Sequence, residues 1–392
     1  MNQPIWRRWL EIWLVSTKLG FTSFGGPIAH LGYFQHEYVQ KRNWLDQKSY
    51  ADLIALCQFL PGPASSQVGI SIGIIRGGVI GGVISWLGFT MPSVLILMIA
   101  ASFLTGHNVE QEGIISGLKI VAVAVVAQAV LGMGKTLTPD RPRLAIGIGS
   151  SVVLLVWPYT FVQIGVILFA ALLGIFMYRQ VSAEEESELP IVKWKGGAII
   201  SLSLFFVLLA ALPLLSWKFS STWFDMMDTF YRAGAIVFGG GHVVLPILQQ
   251  EVVPHLLSKE HFLAGYGAAQ AVPGPLFTFS SYIGTVVKGW SGGLVATLAI
   301  FLPSFLLVMG VLPFWNGIRR NKNVRGALLG VNASVVGILL ASLYDPVFVS
   351  AVSNGHDFAL ALICFGLLVY WKVPSWVVVI LGVAGRFILN YT

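Results

Sequence analysis

Long apolar runs broken by short polar or glycine-rich interruptions dominate this chain. Runs of membrane-crossing length recur at Val83–Leu104, Ile114–Met133, Phe161–Tyr178, Gly196–Leu215, Gly293–Leu312 and Gly326–Leu343. A helix needs ~20 predominantly apolar residues to cross a bilayer, so the pattern predicts an all-α polytopic membrane protein. Two stretches interrupt it in unexpected places: "QFLPGPASS" at 58–66 and "QAVPGPLFT" at 270–278. Proline lacks an N–H and crowds the preceding turn. Each stretch therefore predicts either one broken crossing or a re-entrant hairpin.

The interruptions come as a matched pair. Phe24-Gly25-Gly26 recurs as Phe238-Gly239-Gly240, with Lys18 and Arg232 before them and Glu37 and Glu251 after them at equal spacing. Asp46 and Glu260 follow, then Gln58-x-x-Pro61-Gly62-Pro63 and Gln270-x-x-Pro273-Gly274-Pro275. Arg76 then matches Lys288, Gly81-Gly82 matches Gly292-Gly293, and Pro92-Ser93 matches Pro303-Ser304. A duplicated unit explains this order: a first repeat over 1–180, a linker plus one unpaired apolar helix over 181–215, and a second repeat over 216–392. The linker, within "RQVSAEEESELPIVKWK", is acidic and reads as a solvated tether.

One unpaired crossing between two copies inverts the second, and the basic residues support that. The loop "TGHNVEQEG" at 105–113 carries two glutamates and no Lys or Arg. Its counterpart near 316–325, "NGIRRNKNVR", carries Arg319, Arg320, Lys322 and Arg325 and no acid. Lys and Arg concentrate on the cytoplasmic side, which puts these equivalent loops on opposite sides. The expected arrangement is a multi-pass chain of inverted-topology repeats, N-terminus cytoplasmic and C-terminus external. Such repeats recur in secondary transporters, with sites where the halves meet.

Composition closes off other classes. The 392 residues are 56% hydrophobic and 10% charged, against ~25% charged in soluble domains, and the mean hydropathy is +0.79. The net charge of +7 makes no case for nucleic acid. No small-residue cleavage site follows "MNQPIWRRWLEIW", so the first segment is expected to remain. Cys57 and Cys364 lack spacing partners for a disulfide or a metal. "GISIG" at 69–73 fits G-x-S-x-G but falls in an apolar helix, the wrong setting for a nucleophile elbow. No dinucleotide, Walker or zinc motif is present, so neither an enzyme nor a cofactor is expected. The bilayer is an expected partner, and a homo-oligomer is left open.

A break inside a membrane helix frees backbone groups, and these survive only when buried or lining a wet cavity. A half-helix starting at a break presents N–H groups and a positive dipole end, which suits an anion. The candidate substrate contacts are thus Pro61, Gly62, Pro63, Ser65 and Ser66 in the first half, and Pro273, Gly274, Pro275 and Thr278 in the second. Gly25, Gly26, Gly239, Gly240 and Gly241 would let a second backbone approach. Gln58 and Gln270 would bond the anion or satisfy freed backbone. The plainer reading, a proline kink with structural glycines, is disfavoured by the duplication. Lys18 and Arg232 lie in apolar stretches, where cations are functional candidates; snorkelling or a structural ion pair is the plainer account. Arg76 and Lys288 read as interface anchors. Glu37, Glu251 and His242 are candidates for coupling or gating, against solvated charge or a satisfied buried imidazole.

These motifs resemble the chromate ion transporter family in its long, two-domain form. The carrying residues are "FGGPIAHLGYFQHEYV" (24–39), "NWLDQKSYADLIALCQFLPGPASSQVGISIG" (43–73), "FGGGHVVLPILQQEVV" (238–253) and "AAQAVPGPLFTFSSYIG" (268–284). The resemblance implies an inner-membrane protein moving chromate outward, driven by membrane potential or ion exchange, with sulfate as a related tetrahedral dianion. The alternatives are a sulfate or other anion importer or passive channel and, more distantly, a non-transporting membrane subunit or intramembrane enzyme.

Overall fold

The computed structural model describes residues 4–23, 26–104, 110–178, 195–237, 244–253, 256–315 and 321–390. Helix is the only regular structure among them: α1 (Ile5–Thr22), α2 (Gly26–Phe34, running on as a π-helix over Gln35–Lys41), α3 (Gln47–Phe59), α4 (Ala64–Leu104), α5 (Glu110–Leu137), α6 (Arg141–Val156), α7 (Thr160–Met177) and α8 (Lys195–Phe219). There follow α9 (Thr222–Ile236), α10 (Val244–Val252), α11 (Lys259–Ala271), α12 (Phe279–Val311), α13 (Lys322–Ser342), α14 (Gly355–Val369) and α15 (Ser375–Asn390). Polar residues mark the helix starts. Asp46, Asp140, Ser258 and Asn354 each accept a backbone N–H from the first turn they precede, which satisfies an otherwise orphaned donor. Among the described residues, five segments are long and apolar enough to cross a membrane: Ala64–Leu104, Ser116–Lys135, Gly196–Phe219, Leu276–Phe314 and Lys322–Asp345.

Two of those five are not single rods. Gly78 adopts φ 68°, ψ −168°, a conformation that side chains disfavour, and α4 doubles back there. Ser85 Oγ donates to the Gly69 carbonyl at 2.8 Å, and a Cβ on Gly73 would strike the Gly81 carbonyl. α12 does the same at its sequence-matched glycine, Gly289, with φ 67°, ψ −161°. There Gly284 lies against the Gly292 carbonyl. The first arms, 64–77 and 279–288, are only about 15–21 Å long at 1.5 Å per residue, short of the ~30 Å hydrocarbon layer. The second arms retain spanning length.

The Pro-Gly-Pro break ahead of α4 is a further reversal. Cys57 Sγ, near the end of α3, lies 3.9 Å from Ser71 Oγ. A straight continuation would separate them by about 20 Å. Of the two readings of "QFLPGPASS", the hairpin is the one this geometry fits.

The helices gather into two compact units, and each draws on both halves of the sequence. The first holds residues 1–98, 183–241 and 273–320. In it α9 packs on α12, with α8 against both, and Trp86 of the first half stands edge-on to Phe301 and Phe305 of the second. The second holds residues 99–182, 242–272 and 321–392. There the partners are exchanged: α13 packs on α6 and α7, while α5 packs on α14, α15 and α11. Small residues let the exchanged helices touch, with Gly330 against the Ala170 carbonyl and Gly117 against the Val383 backbone. Apolar side chains such as Phe169, Phe176, Ile200, Phe206 and Ile380 remain on the outside, as a lipid-facing surface requires.

Candidate functional site

Both Pro-Gly-Pro breaks lie in the first compact unit, and each is tied to the opposite half. The Gly62 N–H donates to the Val237 carbonyl at 2.6 Å, and the Gly274 N–H donates to the Ser23 carbonyl at 2.9 Å. Ser23 and Val237 are matched positions, each immediately before a Phe-Gly-Gly motif. The glycines take φ values of 115° and 97°, open to glycine and strained for other residues. Each also receives a serine from the other half. A Cβ on Gly62 would strike Ser304 Oγ, and one on Gly274 would meet Ser93 Oγ at 2.9 Å.

This crossing changes which backbone donors are free. The prolines have no N–H, and the one amide inside each Pro-Gly-Pro is already used by the protein. At the start of α4, Gln67 N–H returns to the Pro63 carbonyl at 2.9 Å. The amides of Ala64, Ser65 and Ser66 precede it and have no acceptor within the helix. In the second half Thr278 N–H and Oγ1 both turn back to the Pro275 carbonyl, at 3.0 and 2.7 Å, closing that first turn on itself.

Several buried hydroxyls around the crossing are unsatisfied. Ser23, Ser66, Ser280 and Ser304 are fully or almost fully buried, yet their Oγ atoms have no hydrogen-bond partner among the described residues. Ser65 Oγ lies 3.3 Å from Nδ1 of the buried His30, whose Nε2 is also unpartnered. Gln67 Nε2 donates to the Pro61 carbonyl at 2.6 Å. An unmade hydrogen bond at a buried polar group costs about 1–3 kcal/mol, so a cluster of them marks a place that a ligand or water completes. Uncharged hydroxyls and amides near a helix N-terminus can surround the oxygens of a small anion.

The expected cations sit in ion pairs. Lys18 Nζ meets Glu37 Oε2 at 2.7 Å, and Arg42 Nε meets Glu37 Oε1 at 3.1 Å. Arg42 and Arg76 converge on Glu11, at 3.2 and 2.7 Å, and Arg76 lies over the Trp44 ring at 4.2 Å. Arg232 pairs with Asp228 one turn earlier on α9, at 2.7 Å. Of the other expected residues, Gly26 opens α2 at φ 79° and Gln58 is exposed. Gln270 is buried in α11, in the other compact unit, with Nε2 unpartnered; Glu251 is half-buried on α10. Gly25, Gly239, Gly240, Gly241 and His242 lie outside the described residues. His30, Ser23, Ser280 and Ser304 were missed in the sequence. The matched Pro-Ser pairs at 92–93 and 303–304 were the signal for Ser304; a histidine inside the apolar run after Gly26 was the one for His30.

The model of the chromate transporter family matches residues 10–175 and 224–386. This chain belongs to the chromate transporter family. An uncharacterised transporter of Methanocaldococcus jannaschii is 26% identical over 392 residues, covering 97% of this chain and 89% of its own length. The chromate transport protein of Pseudomonas aeruginosa is 27% identical over 382 residues, covering 94% and 89%. A half-length relative, an uncharacterised transporter of Bacillus subtilis, is 28% identical over 172 residues, covering 42% of this chain and 86% of itself. No solved structure matches. As a member of the chromate transporter family the chain is a multi-pass membrane protein of a transporter class, not an enzyme.

Proposed function

We propose that this member of the chromate transporter family is a secondary transporter of tetrahedral oxyanions in the cell inner membrane, moving chromate outward, with sulfate as the related or competing ion. The observation that carries the reading is the crossing of the two breaks: Gly62 and Gly274 exchange backbone bonds with the opposite halves, beside buried hydroxyls that lack partners. The named activity of the Pseudomonas aeruginosa relative supports chromate as cargo. Chromate and sulfate share shape and charge, and neutral donors bind either.

An inside-negative potential favours outward movement of a dianion, since each elementary charge gains about 2.3 kcal/mol per 100 mV. Membrane potential, alone or with ion exchange, is accordingly the proposed drive. The half-length Bacillus subtilis relative supports a duplicated unit, and the loop charges support inverted copies with the N-terminus cytoplasmic and the C-terminus external. Rocking of one body against another would then expose the site alternately. Lys18 and Arg232 compensate the dianion's charge when Glu37 and Asp228 release them; Glu37, with Glu251 and His242, is the coupling candidate.

The test is flux into proteoliposomes holding the full chain, with labelled chromate and sulfate and with potential and pH gradient imposed separately. Saturable, potential-dependent flux of one or both ions is expected. Absence of flux for both would overturn the reading, and flux that never saturates would make the protein a channel.

A further inference from the structure

We propose that His30 is itself a residue of the anion site, presenting an uncharged N–H to the transported ion, and that Ser65 fixes the ring tautomer that does so. This rests on the oxyanion reading above and names a contact within that site.

His30 is 1% exposed and meets groups that adjoin both breaks. Its Nδ1 lies 3.3 Å from the hydroxyl of Ser65, in the first turn after the first break. The Ser23 carbonyl, which holds the Gly274 N–H of the second break, also faces the ring as a hydrogen-bond acceptor. Phe89 stands edge-on to the imidazole with centroids 5.5 Å apart, and its carbonyl comes within 3.4 Å of where a Cβ on Gly274 would be. From α1 the ring thus meets the Ser23 backbone, and from α4 it meets Ser65 and Phe89; none of these is charged. Nε2 is buried without a hydrogen-bond partner among the described residues.

A neutral imidazole carries its proton on one nitrogen, and the bond made by the other decides which. A Ser65 hydroxyl that donates to Nδ1 leaves the proton on Nε2. The unpartnered nitrogen is then a donor, as the hydroxyls of Ser66 and Ser304 can be. A neutral donor holds an anion oxygen without the fixed charge that would retain a dianion. Ser65 is a positioning residue, acting on the ion through the ring.

Equilibrium binding of labelled sulfate and of chromate to the purified full chain tests this, with 15N spectra of the histidines to read the tautomer. His30→Ala should weaken binding of both ions by about tenfold or more, the usual scale for losing a hydrogen bond to a charged group. His30→Gln keeps an amide N–H near the Nε2 position and should stay within about threefold. Ser65→Ala should move the His30 signals, assigned by their loss in His30→Gln, toward mixed tautomers. Unchanged binding by a folded His30→Ala protein overturns the assignment alone. Wild type that binds neither ion overturns the oxyanion reading and this contact with it. Should His30→Ala fail to fold, the wild-type spectrum decides: a proton on Nε2 supports the proposal and one on Nδ1 refutes it.

Discussion

Lys18 and Glu37 meet at 2.7 Å across α1 and the π-helical end of α2, with the carboxylate 3% exposed and the ammonium 48% exposed. Glu37 also takes Arg42 at 3.1 Å and Lys41 at 3.8 Å. The buried acid is the hub and the cations are its spokes. Glu37→Gln strands several positive groups, whereas Lys18→Gln leaves Glu37 with two partners. Breaking a buried pair costs about 3–5 kcal/mol; solvent reaching Lys18 reduces this to about 1–3 kcal/mol here. Thermal unfolding in detergent should rank the variants wild type, Lys18→Gln, Glu37→Gln in falling stability. The reverse order would mean that Lys18 has a larger partner than Glu37.

The glycines at the breaks and at the fold-backs should respond differently to alanine. Gly62 combines φ 115° with the Ser304 hydroxyl in the space a methyl would take, while Gly78 has φ 68° and open space. Gly78→Ala then carries backbone strain alone, roughly 1–2 kcal/mol. Gly62→Ala adds a steric clash and moves the carbonyl–amide bond to Val237. It should lower the unfolding midpoint further and abolish flux, with Gly78→Ala retaining flux. Equal loss in both would show that the fold-back turn matters to transport as much as the crossing does.

What the sequence made legible and what it hid divide along physical lines. The apolar runs, the two Pro-Gly-Pro breaks and the turns beside Arg76 and Lys288 are local, set by residues within one or two helical turns. Local propensity and hydrophobic period report them directly. The crossing of Gly62 with Val237, and of Gly274 with Ser23, joins residues far apart in the chain. It was visible only as a suspicion raised by duplication. A structural ion pair is one of three readings of Lys18 in the sequence, beside a functional cation and snorkelling, and nothing in the spacing of Lys18 and Glu37 shows that they touch. His30 was missed because its meaning comes from Ser65 and Phe89, which reach it from another helix.

Outside the membrane, Asp140 caps α6 and binds Arg143 Nε at 2.6 Å and the Tyr178 hydroxyl at 2.7 Å. Burial pushes its carboxyl up, but the bonds from Arg143 and Tyr178 outweigh burial and hold it below the usual aspartate value. A depressed carboxyl stabilises the fold above its unfolded value, about 3.9, and that contribution is lost as pH falls through the lower folded value. The stability difference between wild type and Asp140→Asn should be constant at neutral pH and shrink below about pH 4. Asn still caps a helix well, so Asp140→Ala should be the less stable of the two. A difference independent of pH down to 3 would contradict the ion pair.

Asp357 and Arg386 form another tie in the same compact unit, at 2.6 Å between α14 and α15, with the carboxylate 3% exposed. Asp357→Asn leaves a guanidinium without its counter-ion and should cost about 3–5 kcal/mol. Replacing both, as Asp357→Leu with Arg386→Met, should recover most of the loss, because a well-packed apolar pair often matches a buried ion pair. Unfolding midpoints of wild type and the two variants settle it. A double variant no better than Asp357→Asn would place the defect in the Ser353 N–H, which the same carboxylate accepts at 3.1 Å.

Ser93 and Ser304 are matched in sequence and both face a Pro-Gly-Pro glycine of the other half, yet their hydroxyls are used differently. Ser93 Oγ donates to the Thr90 carbonyl at 2.9 Å, whereas Ser304 Oγ is buried without a partner. Removing a hydroxyl that makes a bond costs about 0.5–1.5 kcal/mol, and removing one that makes none relieves a desolvation penalty. Ser304→Ala should therefore leave the unfolding midpoint unchanged or slightly raised, while weakening sulfate or chromate binding about tenfold. Ser93→Ala should do the opposite, with a small loss of stability and near-normal affinity. Binding and unfolding measured on the same two preparations separate a hydroxyl kept for the ligand from one kept for the fold. If Ser304→Ala binds the anions like wild type, the crossing of the halves is a structural joint and the ion passes elsewhere.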